Sequence, residues 1–522
     1  MLTVPAMDAV PMDWVGNWVG RWARVAPERH AVYDDGRGTR FTYAELDARA
    51  NALAHWLTGE RGLRKGDCIA LMLHNRIEAL DFYLACGKTG IILAPLSYRL
   101  KPRELNELLH RIRPRLLVSE DAFANLVQAL EQPASLDFHL TIENHGDAYD
   151  AQFLQVGRDR EANQPLAMTD VFLYIHTGGT TSTPKVCVVP YRQMIWNALD
   201  LMVAGGGTMD ARELITFPLF HVGGWNSVTP ILHGGGLAVL MPQFEAERLL
   251  ELIAQERIRH FGAVEAMLGV IAAHASFAGA ELGSLEAITT AGAPCAASVM
   301  APFAERGIAV RQAYGLTEAG PSNFIHAPPE ASADSLRQHS DSIGTVMPHG
   351  DYRIIDADSL APVSVGQQGV LCMRSPHNFA GYLGEPERTR TALLADGWVY
   401  SGDLAVEGDD GLVRILGRVD NMFISGGENV SPEEIEQVIE ALPIVQRVAV
   451  VAAPDQCWGR VPAVAVVLQD DTDPAAAEEA ILAHCREHLA GFKVPKRIRF
   501  MRQLPVTGAG KLDRRTLQAE MA

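Results

Sequence analysis

Val171-Phe172-Leu173-Tyr174-Ile175-His176-Thr177-Gly178-Gly179-Thr180-Thr181-Ser182-Thr183-Pro184-Lys185-Val186-Cys187-Val188-Val189 reads as a buried strand, a short loop and a second strand. Residues 178–185 are two glycines, four hydroxyl residues, a proline and a lysine. Such a loop suits an anion: glycines let backbone N–H groups converge, hydroxyls donate hydrogen bonds and the lysine supplies a point charge. A Walker loop is excluded by spacing, because that motif closes on Gly-Lys-Ser/Thr at the start of a helix. A hairpin that grips phosphate and a plain polar surface hairpin both fit this stretch taken alone.

Outward from this hairpin, strands alternate with helices. Thr42-Tyr43-Ala44-Glu45 is a capping box opening a helix with Leu46, Ala50, Leu53 and Leu57 on one face. Strands at 69–73, 91–93 and 116–118 are separated by helices at 78–87 and 102–112, which predicts a parallel sheet covered on both faces. Residues 131–165 are polar and weakly patterned, and read as a surface connection. Downstream come a helix at 194–203, strands at 214–217 and 237–240, a helix at 247–255, and a strand 288–290 running into Ala291-Gly292-Ala293-Pro294. From about 345 the strands shorten between Gly and Pro turns, the mark of a small β-rich subdomain. Past residue 420 the pattern becomes a compact α+β unit, in which Ser431-Pro432-Glu433-Glu434 is a second capping box, opening a helix through Leu442. The expected domains are therefore 1–419 and 420–522.

The chain has 522 residues, too many for one core, and 48% hydrophobic with 21% charged residues is the composition of a soluble globular enzyme. A formal net charge of -18 argues against a nucleic-acid partner but leaves room for a local nucleotide cradle. Seven scattered cysteines without a Cys-x-x-Cys pair predict buried free thiols in a reducing compartment, and no zinc pattern is visible among them and the 17 histidines. The first ten residues lack the basic start of a secretory signal, and no apolar run reaches membrane-spanning length. A cytoplasmic protein is expected.

Four elements in fixed order resemble the adenylate-forming (AMP-binding) superfamily of acyl-CoA synthetases, luciferases and peptide-synthetase adenylation domains. They are the 177–185 loop; Tyr314-Gly315-Leu316-Thr317-Glu318; Tyr400-Ser401-Gly402-Asp403 with Gly417-Arg418-Val419-Asp420; and Pro505-Val506-Thr507-Gly508-Ala509-Gly510-Lys511. The resemblance covers essentially the whole chain. It implies an α/β fold, α+β overall: a large N-terminal domain of mixed sheets covered by helices, with the β-rich subdomain, and a small mobile C-terminal domain. It also implies two half-reactions, in which a carboxylate attacks ATP to give acyl-AMP and pyrophosphate, and a thiol then displaces AMP.

By this resemblance Thr177, Thr180, Thr181 and Lys185 grip pyrophosphate; Gly178, Ser182 and Val186 depart from the usual serine and two glycines. Tyr314 stacks on adenine beside Gly315, Thr317 lies near the α-phosphate, and Glu318 holds Mg²⁺. Gly292, Ala293 and Pro294 line the adenine and acyl pockets. Asp403 takes the ribose hydroxyls, Arg418 meets the nucleotide, Asp420 is the hinge and Asn421 departs from a frequent acidic residue. Lys511 is the adenylation lysine, and Gly426 lines the pantetheine tunnel of coenzyme A. His221 falls at a gate beside the substrate carboxylate, where a structural histidine is the rival reading. Trp225, Val264, Glu265, Ala266 and Met267 border the acyl pocket, Glu265 replacing a common proline; ordinary core is the alternative for Trp225. No paired arginines stand in these segments, so a monocarboxylic acid, medium-chain aliphatic or aryl, is expected. The rivals to a CoA ligase are an enzyme loading a separate carrier protein and a non-catalytic nucleotide-binding relative.

Overall fold

A computed structural model describes residues 7–143, 146–177, 184–205, 210–292, 295–328, 331–425, 428–455, 458–470, 472–489, 491–507 and 512–521. The chain divides into two compact units, Met1–Tyr352 with Met373–Val399, and Arg353–Cys372 with Tyr400–Ala522.

Two sheets organise the first unit. One has six strands in the order Phe138–Ile142, Leu116–Glu120, Cys68–Met72, Ile92–Pro95, Val171–Thr177, Lys185–Pro190. All its pairs are parallel except the last, which is the antiparallel hairpin predicted from sequence. Every residue of Cys68–Met72 is buried, and its two faces enter different cores. Ile69 and Leu71 join one core with the helices Tyr43–His55 and Ile77–Thr89. Cys68, Ala70 and Met72 join another with Leu105, Leu108 and Leu109 of helix Pro102–Ile112. Period-two alternation across a sheet covered on both sides produces this continuous apolar run.

The second sheet has nine strands, in the order Thr345–Val346, Gly320–Ile325, Ala309–Leu316, Ala287–Thr290, His260–Ala263, Arg212–Ile215, Leu237–Leu240, His30–Asp34, Thr39–Thr42. Its centre is parallel and its ends are antiparallel. Ile215, Ala238 and Leu240 share the first core, while Leu214 and Val239 face a separate one.

The second unit holds a four-stranded sheet, ordered Asp351–Ile355, Gly369–Arg374, Val399–Glu407, Val413–Arg418. It also holds the long antiparallel pair Val445–Asp455 and Gly459–Leu468, extended in parallel by Arg497–Phe500. Helices Pro432–Glu440 and Pro474–His488 bury Ile435 and Ile481 against Val450 and Val464. This is the mixed α/β fold with a smaller α+β C-terminal part that the sequence implied.

Two local readings are corrected. The stretch 131–165 carries the edge strand Phe138–Ile142 and the helix Asp147–Phe153. Asp150 of that helix meets Arg49 at 2.9 Å, and Arg49 also grips the fully buried Asp81 at 2.7 Å. One of its polar residues, Asp150, thus belongs to an ion network around buried Arg49. The Thr42 capping box forms as expected, with Glu45 N donating to Thr42 Oγ1 at 3.2 Å. Ser431 makes no such cap, because its hydroxyl donates to Leu416 O at 3.0 Å, and its helix stops at Glu440. The cysteines within the described residues are all buried and unpaired, and no helix there is long and apolar enough to cross a membrane.

Candidate active site

Within the hairpin, Thr177 lies opposite Lys185, His176 opposite Val186 and Ile175 opposite Cys187. Thr180, Thr181 and the departures Gly178 and Ser182 lie outside the described residues. Thr177 Oγ1 is buried without an oxygen or nitrogen partner among the described residues. Lys185 Nζ sits 5.3 Å from the centroid of the Tyr382 ring. Burial first, then the Glu318 carboxylate, pushes the Cys187 thiol far up, so this sulfur stays protonated.

The motif 314–318 forms a second hairpin. Strand Ala309–Leu316 turns through the 3-10 segment Thr317–Ala319 into Gly320–Ile325, with Tyr314 opposite Phe324. Tyr314 meets Phe324 edge-on at 6.1 Å. A Cβ on Gly315 would lie 2.4 Å from Pro321 O, so glycine is required for the strands to approach. Thr317 is buried, and its carbonyl accepts from Gln193 Nε2 at 2.7 Å. Glu318 Oε1 accepts from the Tyr382 hydroxyl at 2.7 Å, and Glu318 O from Phe379 N at 2.9 Å. Burial and the facing carboxylate raise the Tyr382 phenol, which keeps it a donor.

Behind the turn lies a group the sequence did not announce. Ala319 O accepts from Asn323 Nδ2 at 2.7 Å and from His377 Nδ1 at 3.0 Å. His377 Nε2 lies 3.0 Å from Asp200 Oδ2, and both residues are fully buried. Burial alone would raise the Asp200 carboxyl, but hydrogen bonds from His377 and His349 bring it below its ordinary value.

The expected acyl side is only partly assembled among the described residues. Gly292 has φ +88, and a Cβ there would lie 4.0 Å from Val264 Cγ1, so these two meet. Ala293 and Pro294 lie outside the described residues. Glu265 opens the helix Glu265–Ala273 and accepts from Ala296 N at 2.9 Å, which ties its carboxylate to the backbone beyond them. Burial, then Glu265, pushes the neighbouring Cys295 thiol up to about 12. Met267 packs on the core that holds Leu214 and Val239, and Ala266 is exposed.

His221 caps the helix Val222–Gly234, its Nδ1 accepting from Gly223 N at 3.1 Å. It is exposed and lies beside His176, whose ring burial, followed by the His221 charge, lowers to about 4. His176 Nε2 accepts from Ser97 N at 3.1 Å, a bond that only the neutral ring can make. Trp225 is fully buried in the first core and stacks on Tyr83 at 4.3 Å and 5°. That is the environment of a packing residue.

In the second unit, Asp403 and Arg418 face each other across antiparallel strands. Arg418 Nη1 donates to Asp403 Oδ1 at 2.9 Å and to Ser401 O at 3.0 Å. Asp420 lies in the 3-10 turn Val419–Asn421, its side chain outside the description. Asn421 Nδ2 donates to Glu433 Oε1 at 2.7 Å, which gives this departure a structural partner. Gly426 and Lys511 lie outside the described residues.

The AMP-binding enzyme family model matches residues 19–383, and the model of the AMP-binding enzyme C-terminal domain matches 434–511. The chain belongs to the AMP-binding enzyme family. Among this family's curated members it is 34% identical to a feruloyl-CoA synthase of Amycolatopsis sp, over 95% of this chain and 97% of that one. It is 31% identical to an indoleacetate–CoA ligase of Aromatoleum aromaticum, over 95% and 96%. Among solved structures, ATP-bound MatB of Rhodopseudomonas palustris matches with a TM-score of 0.85 at 25% identity, covering 97% of this chain and 98% of that one. The AMP-binding enzyme expected from the four ordered motifs is therefore what the chain is. Tyr382, His377 and Asp200 were missed because each stands in a locally ordinary segment; only the fold brings them to the Glu318 turn.

Proposed function

We propose that this AMP-binding enzyme is an AMP-forming acyl-CoA synthetase, activating a monocarboxylic acid with ATP and passing the acyl group to coenzyme A. The observation that carries the reading is the meeting of both phosphate-handling hairpins at Tyr382, with Lys185 over its ring and Glu318 on its hydroxyl. In the first half-reaction the acid attacks the α-phosphate and pyrophosphate leaves. Lys185 and Thr177, with Thr180 and Thr181, neutralise and hydrogen-bond the departing phosphates; Lys511 adds a cation for this step alone. Tyr314 offers a flat face to adenine across the narrow strand made by Gly315. Thr317 approaches the α-phosphate, with His377 fixing the turn from behind. Asp403 is assigned to the ribose hydroxyls and Arg418 to the nucleotide.

The donor set fits Mg²⁺: Glu318 offers a hard carboxylate oxygen, and the nearby sulfur of Cys187 is kept protonated and so is not a competing ligand. When bound, the ion would neutralise phosphate oxygens. His221, beside neutral His176, is assigned to the substrate carboxylate. Gly292, Val264 and Met267 are assigned to the acyl pocket, with Glu265 held away by Ala296 N. Relatives named for feruloyl and indoleacetyl groups support an aryl acid as the first class to test. In the second half-reaction the CoA thiol displaces AMP, with Gly426 in the tunnel and Asp420 as hinge and functional boundary. The test is a carboxylic-acid panel scored by AMP release with and without CoA. AMP release that requires both an aryl acid and CoA is expected. Absence of acid-dependent AMP or pyrophosphate release over the whole panel overturns the reading.

A further inference from the structure

The helix Pro474–His488 ends in His484-Cys485-Arg486-Glu487-His488. Cys485 turns inward to the small unit's core, and burial lifts its thiol to about 11. His484, Glu487 and His488 stand at i, i+3 and i+4, so the helix stacks them on one side. His484 is half-buried and the other two are exposed. One ligand atom from each lies within 4.8 Å of the others. The two imidazole centroids are 4.2 Å apart. His488 Nδ1 lies 2.9 Å from His484 O; a carbonyl only accepts, so Nδ1 carries the hydrogen and Nε2 is the ligand atom. Fixing a ring through its second nitrogen is how metal-binding histidines are oriented.

We propose that this last helical turn binds one divalent transition-metal ion of the zinc class through His484, Glu487 and His488, with water completing the coordination. Two imidazoles and one carboxylate are a donor set for Zn²⁺, Ni²⁺ or Cu²⁺ and a poor one for Mg²⁺ or Ca²⁺, which take oxygen ligands. The position adds to this. The C-terminal end of a helix carries partial negative charge, and the chain as a whole carries -18. The site is separate from the Mg²⁺ assigned to Glu318, and the proposal does not depend on the synthetase reading. The sequence shows no zinc pattern because the spacing His-x-x-x-His means nothing until the segment is helical.

The test uses the full-length protein, freed of metal with a chelator and dialysed, and titrated calorimetrically with ZnCl₂ in excess MgCl₂. One ion per chain is expected with a dissociation constant in the micromolar range or tighter, together with a rise in Tm on saturation. Cu²⁺ should bind more tightly than Zn²⁺. His488→Ala and Glu487→Gln, both at exposed positions, should each weaken binding by about tenfold or more, and His484→Ala with His488→Ala should abolish the one-to-one event. Unchanged zinc stoichiometry and affinity in the double variant would overturn the proposal, as would no wild-type binding at 100-fold excess Zn²⁺.

Discussion

Tyr382 joins two charges that no sequence pattern connects: its ring receives Lys185 and its hydroxyl holds Glu318. Tyr382→Phe keeps the ring and removes only the hydrogen bond to a charged group, worth about 1.5–3 kcal/mol. ATP-dependent pyrophosphate exchange should fall about tenfold or more, with the acid preference unchanged. An unaltered exchange rate would remove Tyr382 from the nucleotide site. His176 allows a pH prediction. Its folded value is about 4, below the usual histidine range, so between roughly pH 4 and 6.5 the unfolded chain binds the extra proton. Stability should therefore be fully present above that window and fall as pH drops through it. Urea midpoints measured across this range should flatten in His176→Gln. Trp225 was read as pocket wall or core, and its stacking on Tyr83 favours core. Trp225→Ala should cost about 3–5 kcal/mol of stability, seen as a lowered Tm with an unchanged acid profile. A broadened profile at constant Tm would return it to the pocket. Lys185 and Glu318 stood out in the sequence because their neighbours form motifs, and the structure brings both to Tyr382. Trp225 was not, because packing against Tyr83 depends on a contact 142 positions away.

The 171–189 hairpin was the easiest element to read, since apolar runs bracketing a polar loop leave few alternatives; the hairpin around Glu318 was not read at all. What holds the Glu318 turn in place was invisible. His377 follows Ser375-Pro376, a loop-like context, and becomes a bridge only when the helix Tyr191–Gly205 brings Asp200 behind it. His377→Phe removes the ring nitrogen that faces Ala319 O in the turn and the one that faces Asp200. ATP KM should rise about tenfold while acid KM holds, and His377→Gln, which keeps one donor, should recover part of the loss. Equal changes in both KM values would mean a general loss of structure instead. The two capping boxes teach the same lesson. Thr42 found its partner within four residues, whereas Ser431 was captured by the Leu416 carbonyl fifteen positions upstream. Local pattern predicts a cap well until a distant acceptor competes for the hydroxyl. In the 131–165 stretch, composition misled because Asp150 is polar for the sake of buried Arg49.

At the scale of the molecule, the proposed two half-reactions would give Lys511 and Asp420 different duties. Lys511→Ala should slow adenylation by about 10²–10³ while sparing thiolation of preformed acyl-AMP. Quenched-flow assays of each half-reaction separate the two, and equal losses would end that assignment. Asp420→Pro fixes φ near about −65° and should hold one half-reaction back while leaving the other near its wild-type rate. The family and fold were legible because the motifs keep their order over the whole chain; the threading of that chain was not. The first unit is interrupted after Tyr352 and resumes at Met373. Its returning segment clamps the hairpin: Ala380 N donates to Val188 O and Leu383 N to Val186 O, each at 2.9 Å. Until that segment leaves the ribosome, strand Lys185–Pro190 is a bare sheet edge, the kind of surface that recruits other chains. At about 5–20 residues per second, synthesis from 190 to 383 leaves the edge open for roughly 10–40 s. Newly made protein should accordingly be most prone to aggregate in that interval, and chaperone demand should peak there rather than at termination.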